Sequence, residues 1–157
     1  MLFPPSKEFI HWNSYEHDER GITTEKPELI TMMHNKRKKK FKAIEDYMKN
    51  MNTVNVFGTG EPTIFTWGST TMSVLEALKY GKIGATVIQP IYLNPMPVWI
   101  LNKFKDKEAI VVELNSTGQL ASLLKEKIGI TIKERINQYD ARPFDPMELS
   151  LKIKEVI

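Results

Sequence analysis

From residue 61 onward, apolar runs of strand length alternate with stretches of helical periodicity, and this alternation restricts the fold more than any other feature. "TIFTW" (63–67) reads as a buried strand. "STTMSVLEALKY" (69–80) reads as a helix with Ser69 or Thr70 as cap and Gly81 as stop. "GATVIQ" (84–89) is the next strand, and "NPMPVWILNKF" (94–104) predicts a helix capped by Asn94 with Pro95 at its first position. "EAIVVEL" (108–114) is a further β run. The helix predicted over 117–128 places Leu120, Leu123, Leu124 and Ile128 on one face, carries Lys125 and Lys127 in its last turn, and ends at Gly129. "TIKERI" (131–136) alternates as a strand nearer an edge does. "DPMELSLKIKEVI" closes the chain, with Asp145 and Glu148 spaced as a capping box around Pro146. Strands joined by helices through short loops imply parallel pairing, and apolar strands need cover on both faces. The expected architecture is a three-layer α/β/α domain.

A different pattern precedes it. Gly58, Gly60 and Pro62 in "NVFGTGEPT" (55–63) break any regular element, and the chain splits near them; residues 1–52 are taken as the amino-terminal part and residues 53–157 as an α/β domain. The first part opens with an irregular arm. A long helix is then predicted over about 27–50, where Ile30, Met33, Arg37, Phe41, Ile44, Met48 and Met51 recur at steps of three or four. Phe41 is expected to turn inward. A helix of that length suggests docking on something larger.

Composition removes several classes of function. The chain has 157 residues and no cysteine, which excludes disulfides, thiolate zinc sites, cysteine-ligated iron–sulfur clusters and a cysteine nucleophile. No apolar run is long enough to span a membrane, no secretory signal opens the sequence, and a cytoplasmic location is expected. A net charge of +3 permits an anionic partner without demanding one.

Each motif has a plain reading beside the functional one. "GTG" (58–60) precedes a strand where a dinucleotide fingerprint would follow one, and neither Lys82 nor Lys103 completes a Walker loop. "WGSTT" (67–71) and "LNSTGQL" (114–120) put small polar residues where a strand becomes a helix. Capping is the first reading and an anion or interface site the second, which makes Gly68, Ser69, Thr70, Asn115, Ser116, Thr117, Gly118 and Gln119 candidates. Asn115 or Ser116 is the expected cap, and Gly118 is expected to permit close approach of another surface. "YDARPFDP" (139–146) adds Tyr139, Asp140 and Arg142, as recognition groups or as a structural Asp–Arg pair.

In "KRKKKFK" (36–42), Arg37, Lys38, Lys39 and Lys40 form a candidate docking helix. A solvated face or an acidic partner is preferred there to nucleic acid. His11, His17 and His34 lack metal-ligand spacing, and "YEHDERG" (15–21) reads as polar turn chemistry before it reads as a metal site. No G-x-S-x-G elbow or other catalytic constellation is present.

Together, "EHDERGITTEKPE", "NKRKKK", "WGSTTMSVLEAL", "IQPIYLNPMP", "IVVELNSTGQLASLLKEKIGI" and "YDARPF" resemble the carboxyl-terminal part of the alpha subunit of 2-oxoacid:ferredoxin oxidoreductases, the 2-oxoglutarate type most of all. The resemblance runs over about residues 14–157. It implies a transketolase carboxyl-terminal-like domain with a five-stranded, mostly parallel sheet and one antiparallel edge strand, supplied by residues 53–57.

Complete enzymes of this family oxidatively decarboxylate a 2-oxoacid on thiamine diphosphate with magnesium, pass electrons through iron–sulfur clusters to ferredoxin, and form an acyl-CoA. The resemblance implies a packing and positioning role for this segment, with no catalytic or cofactor residue in the chain itself. Partners would be other subunits or domains of the complex, with ferredoxin and CoA engaged only through the whole; a homodimer is a further option. The pyrimidine-side domain and its Tyr-Pro-Ile-Thr-Pro-Ser motif are missing upstream, so the chain reads as a truncated gene, a split subunit or an excised fragment. Leu2, Phe3, Phe9, Ile10 and Trp12, without that domain, are expected to pair with another copy or stay mobile. The alternative is a stand-alone α/β module binding nucleic acid or an acidic protein.

Overall fold

A computed structural model describes residues 15–157. The expectation for Leu2, Phe3, Phe9, Ile10 and Trp12 lies outside the described residues. The chain forms two compact units, Met1–Asp46 and Tyr47–Ile157.

In the first unit, Asp18 folds a tight turn by accepting from the amides of Arg20 (2.9 Å) and Ile22 (3.0 Å), and His17 bridges to Thr23 across it. Helix α1 then runs from Pro27 to Met48, its last two residues falling in the second unit, with Pro27 and Glu28 in its first turn. Its apolar stripe is unevenly covered: Met33 and Met48 are buried and Ile30 half-buried, while Phe41 and Ile44 are 44% and 43% exposed. The inward turn expected of Phe41 does not occur. Periodicity assigns a residue to a face, but does not supply the surface that covers it.

The second unit is a five-stranded sheet in the order β1-β3-β2-β4-β5. β1 (Val54–Phe57) lies antiparallel to β3 (Thr86–Pro90) at one edge. β2 (Thr63–Phe65), β3, β4 (Glu108–Glu113) and β5 (Thr131–Asn137) are parallel, with β5 at the other edge. Alternation along the strands builds two cores. Ile64, Val87, Ile110 and Val112 pack with α2 (Thr70–Gly81) and α5 (Pro146–Val156), using Val74, Leu78, Leu149 and Ile153. Phe65, Ile88, Ala109 and Val111 pack with α3 (Val98–Leu101) and α4 (Gln119–Ile128), using Leu101, Leu120 and Leu124. This is the three-layer α/β/α arrangement that apolar parallel strands require. Among the described residues, no helix is long and apolar enough to cross a membrane.

Three helix ends depart from expectation. Helix α3 starts at Val98, not at Pro95, and Pro97 occupies its N-cap position. "NPMP" puts both Asn94 and Met96 immediately before a proline, where the helical region is disfavoured, so the helix waits for the second proline to pass. Helix α2 runs through Gly81, and Lys82 takes the left-handed position (φ 51°), its amide donating to the carbonyls of Leu78 and Lys79. A Cβ on Gly81 would stand 2.3 Å from Ser150 Oγ on α5, so that glycine serves helix contact and not helix termination. Helix α4 begins at Gln119, two residues later than predicted, for a reason found in its cap.

Candidate functional site

Parallel pairing brings the carboxyl ends of β2, β3, β4 and β5 to one rim of the sheet. The β2–α2 and β4–α4 turns leave adjacent strands toward opposite faces, which makes a topological switch point, the usual recognition position of open α/β sheets.

The β4–α4 turn is organised by Glu113. Its side chain is fully buried and accepts from the amides of Leu120 (2.7 Å) and Ala121 (3.1 Å) in the first turn of α4. Asn115 ties into the same carboxylate by donating from Nδ2 (2.7 Å). Its own Oδ1 accepts from the amides of Thr117, Gly118 and Gln119 at 3.2, 2.7 and 3.3 Å. With Ser122 donating to the Gly118 carbonyl, every amide from Thr117 to Ser122 has an acceptor within the chain. A resident carboxylate therefore occupies the positive end of α4, where an external anion would otherwise bind.

Gly118 adopts φ 68° as the N-cap residue, and what approaches it is Arg135 of β5, whose Nη1 lies 2.9 Å from where a Cβ would be. Ser116 is exposed and makes no cap. Sequence reasoning missed the role of Glu113. The available signal was one acid closing an otherwise apolar strand, with a helix starting six residues later.

The β5–α5 turn is fixed by its own polar groups. Arg142 donates from Nε to Asp140 Oδ2 (2.8 Å), and the Arg142 amide donates to Asp140 Oδ1 (3.1 Å). Gln138 donates to Asp140 and to the carbonyls of Arg142 and Pro143. The guanidinium beside Asp140 holds its carboxyl below the usual range, and the carboxylate in turn raises Arg142. Asp145 caps α5 by accepting from the amides of Met147 and Glu148, with Pro146 next in line.

At the β2–α2 turn, Gly68 has φ 57°, and its carbonyl accepts from Gln89 Nε2 (3.3 Å). Gln89 in turn accepts from Asn55, which accepts from Asn52. Ser69 holds the N-cap position without a side-chain cap bond, and Thr70 is buried.

The rim also carries a row of apolar side chains that no motif revealed. Ile91 follows β3, Trp67 follows β2, Leu114 follows β4 and Tyr139 follows β5. They are 43%, 38%, 40% and 74% exposed. Each follows the carboxyl end of one of four neighbouring strands, which lie about 4.8 Å apart. Leu114, Ser116, Tyr139 and Arg142 line a cavity of about 510 Å³ between the last two turns. The opposite rim is charged: Lys107 donates to Glu61 at 2.6 Å beside Asp106, Glu108 and Lys133. Lys107 holds the Glu61 carboxyl below its ordinary range.

In the first unit, the acidic turn and the basic run meet. Arg37 donates to both oxygens of Glu16, at 2.9 Å to Oε1, with His34 Nε2 3.4 Å from Oε2, and Lys36 pairs with Glu19 at 3.2 Å. The Arg37 bond, helped by the His17 amide, lowers the Glu16 carboxyl from 4.5 to about 2. Arg37 is thereby committed within the chain, while Lys38, Lys39 and Lys40 remain exposed. Among the described residues, no group of three or more His, Cys, Asp or Glu is placed to hold a metal ion.

No family model matches the chain. The alpha subunit of 2-oxoacid:ferredoxin oxidoreductase 2 from Aeropyrum pernix is 31% identical over 149 residues, a match covering 90% of this chain and 23% of that protein. The alpha subunit of 2-oxoacid:ferredoxin oxidoreductase 1 from Sulfurisphaera tokodaii is 28% identical over 155 residues, covering 96% and 25%. A solved structure of 2-oxoglutarate:ferredoxin oxidoreductase from Magnetococcus marinus, with 2-oxoglutarate, coenzyme A and succinyl-CoA bound, aligns at a TM-score of 0.70 and 28% identity. That alignment covers 99% of this chain and 28% of the other. The chain spans about a quarter of the length of the curated relatives it matches. Over that stretch it is homologous to the alpha subunits of 2-oxoacid:ferredoxin oxidoreductases.

Proposed function

We propose that this chain is a non-catalytic assembly unit of a thiamine-diphosphate-dependent 2-oxoacid:ferredoxin oxidoreductase, in which 2-oxoacid, CoA and oxidised ferredoxin give acyl-CoA, CO2 and reduced ferredoxin. The carrying observation is the rim: exposed apolar residues at the ends of neighbouring strands, beside a β4–α4 turn whose amides from Thr117 to Ser122 are all accepted within the chain, while Thr66, Thr71 and Asn137 each keep a buried oxygen without a partner among the described residues. Exposed apolar residues gathered at one rim suit contact with another protein. The chain has no cysteine for an iron–sulfur cluster, so clusters belong, on this reading, to other polypeptide of the complex, and the family resemblance assigns thiamine diphosphate and magnesium there as well. Ferredoxin and CoA would be met only through that complex. A cytoplasmic location goes with this reading.

The 2-oxoglutarate type is the preferred substrate class, supported by the likeness to the Magnetococcus marinus enzyme. A second reading, a stand-alone module for nucleic acid or an acidic protein, draws on the exposed lysines of α1.

The test is co-expression with those subunits of its own cell that match the remaining length of the relatives. The expected product is a complex that reduces an electron acceptor only with a 2-oxoacid and CoA present, faster with 2-oxoglutarate than with pyruvate. Leu114→Lys with Tyr139→Lys should break the complex while leaving circular dichroism and melting temperature unchanged. Failure of the unaltered chain to join any such subunit would refute the assembly role.

A further inference from the structure

The middle of α1 combines two features that its own unit leaves without a counterpart. Residues 36–44, "KRKKKFKAI", hold six cations and no anion. Two of the six are used internally, Lys36 by Glu19 and Arg37 by Glu16. Lys38, Lys39, Lys40 and Lys42 are exposed, and none has a carboxylate within ion-pair distance among the described residues. Phe41 and Ile44 lie among them, three residues apart on one face and nearly half exposed. Lys38 stands one turn before Phe41, and Lys40 one turn before Ile44, so each apolar side chain has an ammonium neighbour. The stripe is buried at Met33 and half-buried at Ile30 and Arg37, and the exposed step begins one turn after Arg37.

We propose that residues 38–44 of α1 are a docking surface for an acidic protein surface with an apolar centre, one that receives Phe41 and Ile44 while its carboxylates face Lys38, Lys40 and Lys42. The proposal rests on the assembly reading above and names the chemistry of the partner. Charge complementarity selects the occupant. A second copy of α1 would set lysines against lysines, which opposes association. A nucleic acid would employ the ammonium groups on its phosphates but leave the Phe41–Ile44 pair without a role. An acidic rim around an apolar pocket uses both. Arg37 is outside the surface, because its guanidinium is spent on Glu16.

The experiment measures affinity of the full chain for the partner subunits obtained by the co-expression described above, by titration calorimetry across a salt series. Lys38→Glu with Lys40→Glu should weaken binding at least tenfold and flatten the salt dependence. Phe41→Ala should weaken it about tenfold and leave the salt dependence as it was. A 20-base-pair DNA duplex and a single-stranded RNA of the same length serve as competitors, and neither should displace the subunits at physiological salt. Sedimentation should show the free chain as a monomer.

If the rim variant Leu114→Lys loses binding while the lysine and Phe41 variants keep it, the docking surface is wrong and the assembly role stands. If the unaltered chain binds no subunit, both fall. Displacement by either nucleic acid, unaffected by Phe41→Ala, would overturn the choice of partner. A dimer dispersed by Phe41→Ala would do the same.

Discussion

Glu113 makes the sharpest demand on the residues around it. Replacing it with alanine would leave the amides of Leu120 and Ala121 and the Asn115 side chain without their buried acceptor. The expected loss is about 3 kcal/mol of unfolding free energy. Glu113→Gln keeps one acceptor and should lose less. Asn115→Ala should cost about 1 kcal/mol. Ser116→Ala, at an exposed residue that caps nothing, should change stability by less than about 0.5 kcal/mol. Chemical denaturation orders the four, and equal losses for Asn115→Ala and Ser116→Ala would contradict the geometry. The sequence left Asn115 and Ser116 level because each is a good capping residue type. Only the position of β4 against α4 reveals that the cap reaches back to residue 113.

A second residue-scale outcome concerns acid. The Glu16 carboxyl is lowered from 4.5 to about 2 by Arg37, so its contribution to the first unit is full above about pH 4.5 and disappears as pH falls toward 2. A carbon-13 titration of the Glu16 carboxyl should show a midpoint near the low value. In Arg37→Gln, the midpoint should move up toward 4.5. A midpoint near 4.5 in the unaltered chain would mean the clamp does not hold in solution.

At the scale of elements, the α2–α5 contact is the most exacting. Gly81→Ala would drive a methyl group into Ser150 Oγ and Ile83 Cδ1, at 2.3 and 2.9 Å. We expect a loss of about 2 kcal/mol, with part recovered by adding Ser150→Ala. Additive losses would show that the two helices do not meet at this point. The strands and most helices were legible because their apolar residues alternate or recur cleanly: "EAIVVEL" became β4, and 117–128 became α4 shortened at its start. A start of α3 at Pro95 fails because a proline that suits the first helical position also disfavours helix in the residue before it, here Met96 before Pro97. Gly81 reads as a stop in the sequence because composition does not distinguish a glycine needed for φ from one needed for closeness.

For the whole molecule, the sheet order turns separate turns into one surface. The turns after β2, β4 and β5 are individually visible as polar stretches, but Trp67, Ile91 and Leu114 stand 24 and 23 residues apart in the sequence. They form a row only because β3, β2 and β4 are neighbours. Association through Trp67, Ile91 and Leu114 themselves should persist in salt, because those side chains are apolar.

The measurement that bears most directly on this account is recovery of the tagged full chain from its own cell, followed by assay of the recovered material. The account predicts 2-oxoacid- and CoA-dependent reduction of an electron acceptor by a complex containing the chain. The chain alone should give none, and the Leu114→Lys, Tyr139→Lys variant should recover none. A chain that comes out by itself, or turns over a 2-oxoacid unaided, would contradict it.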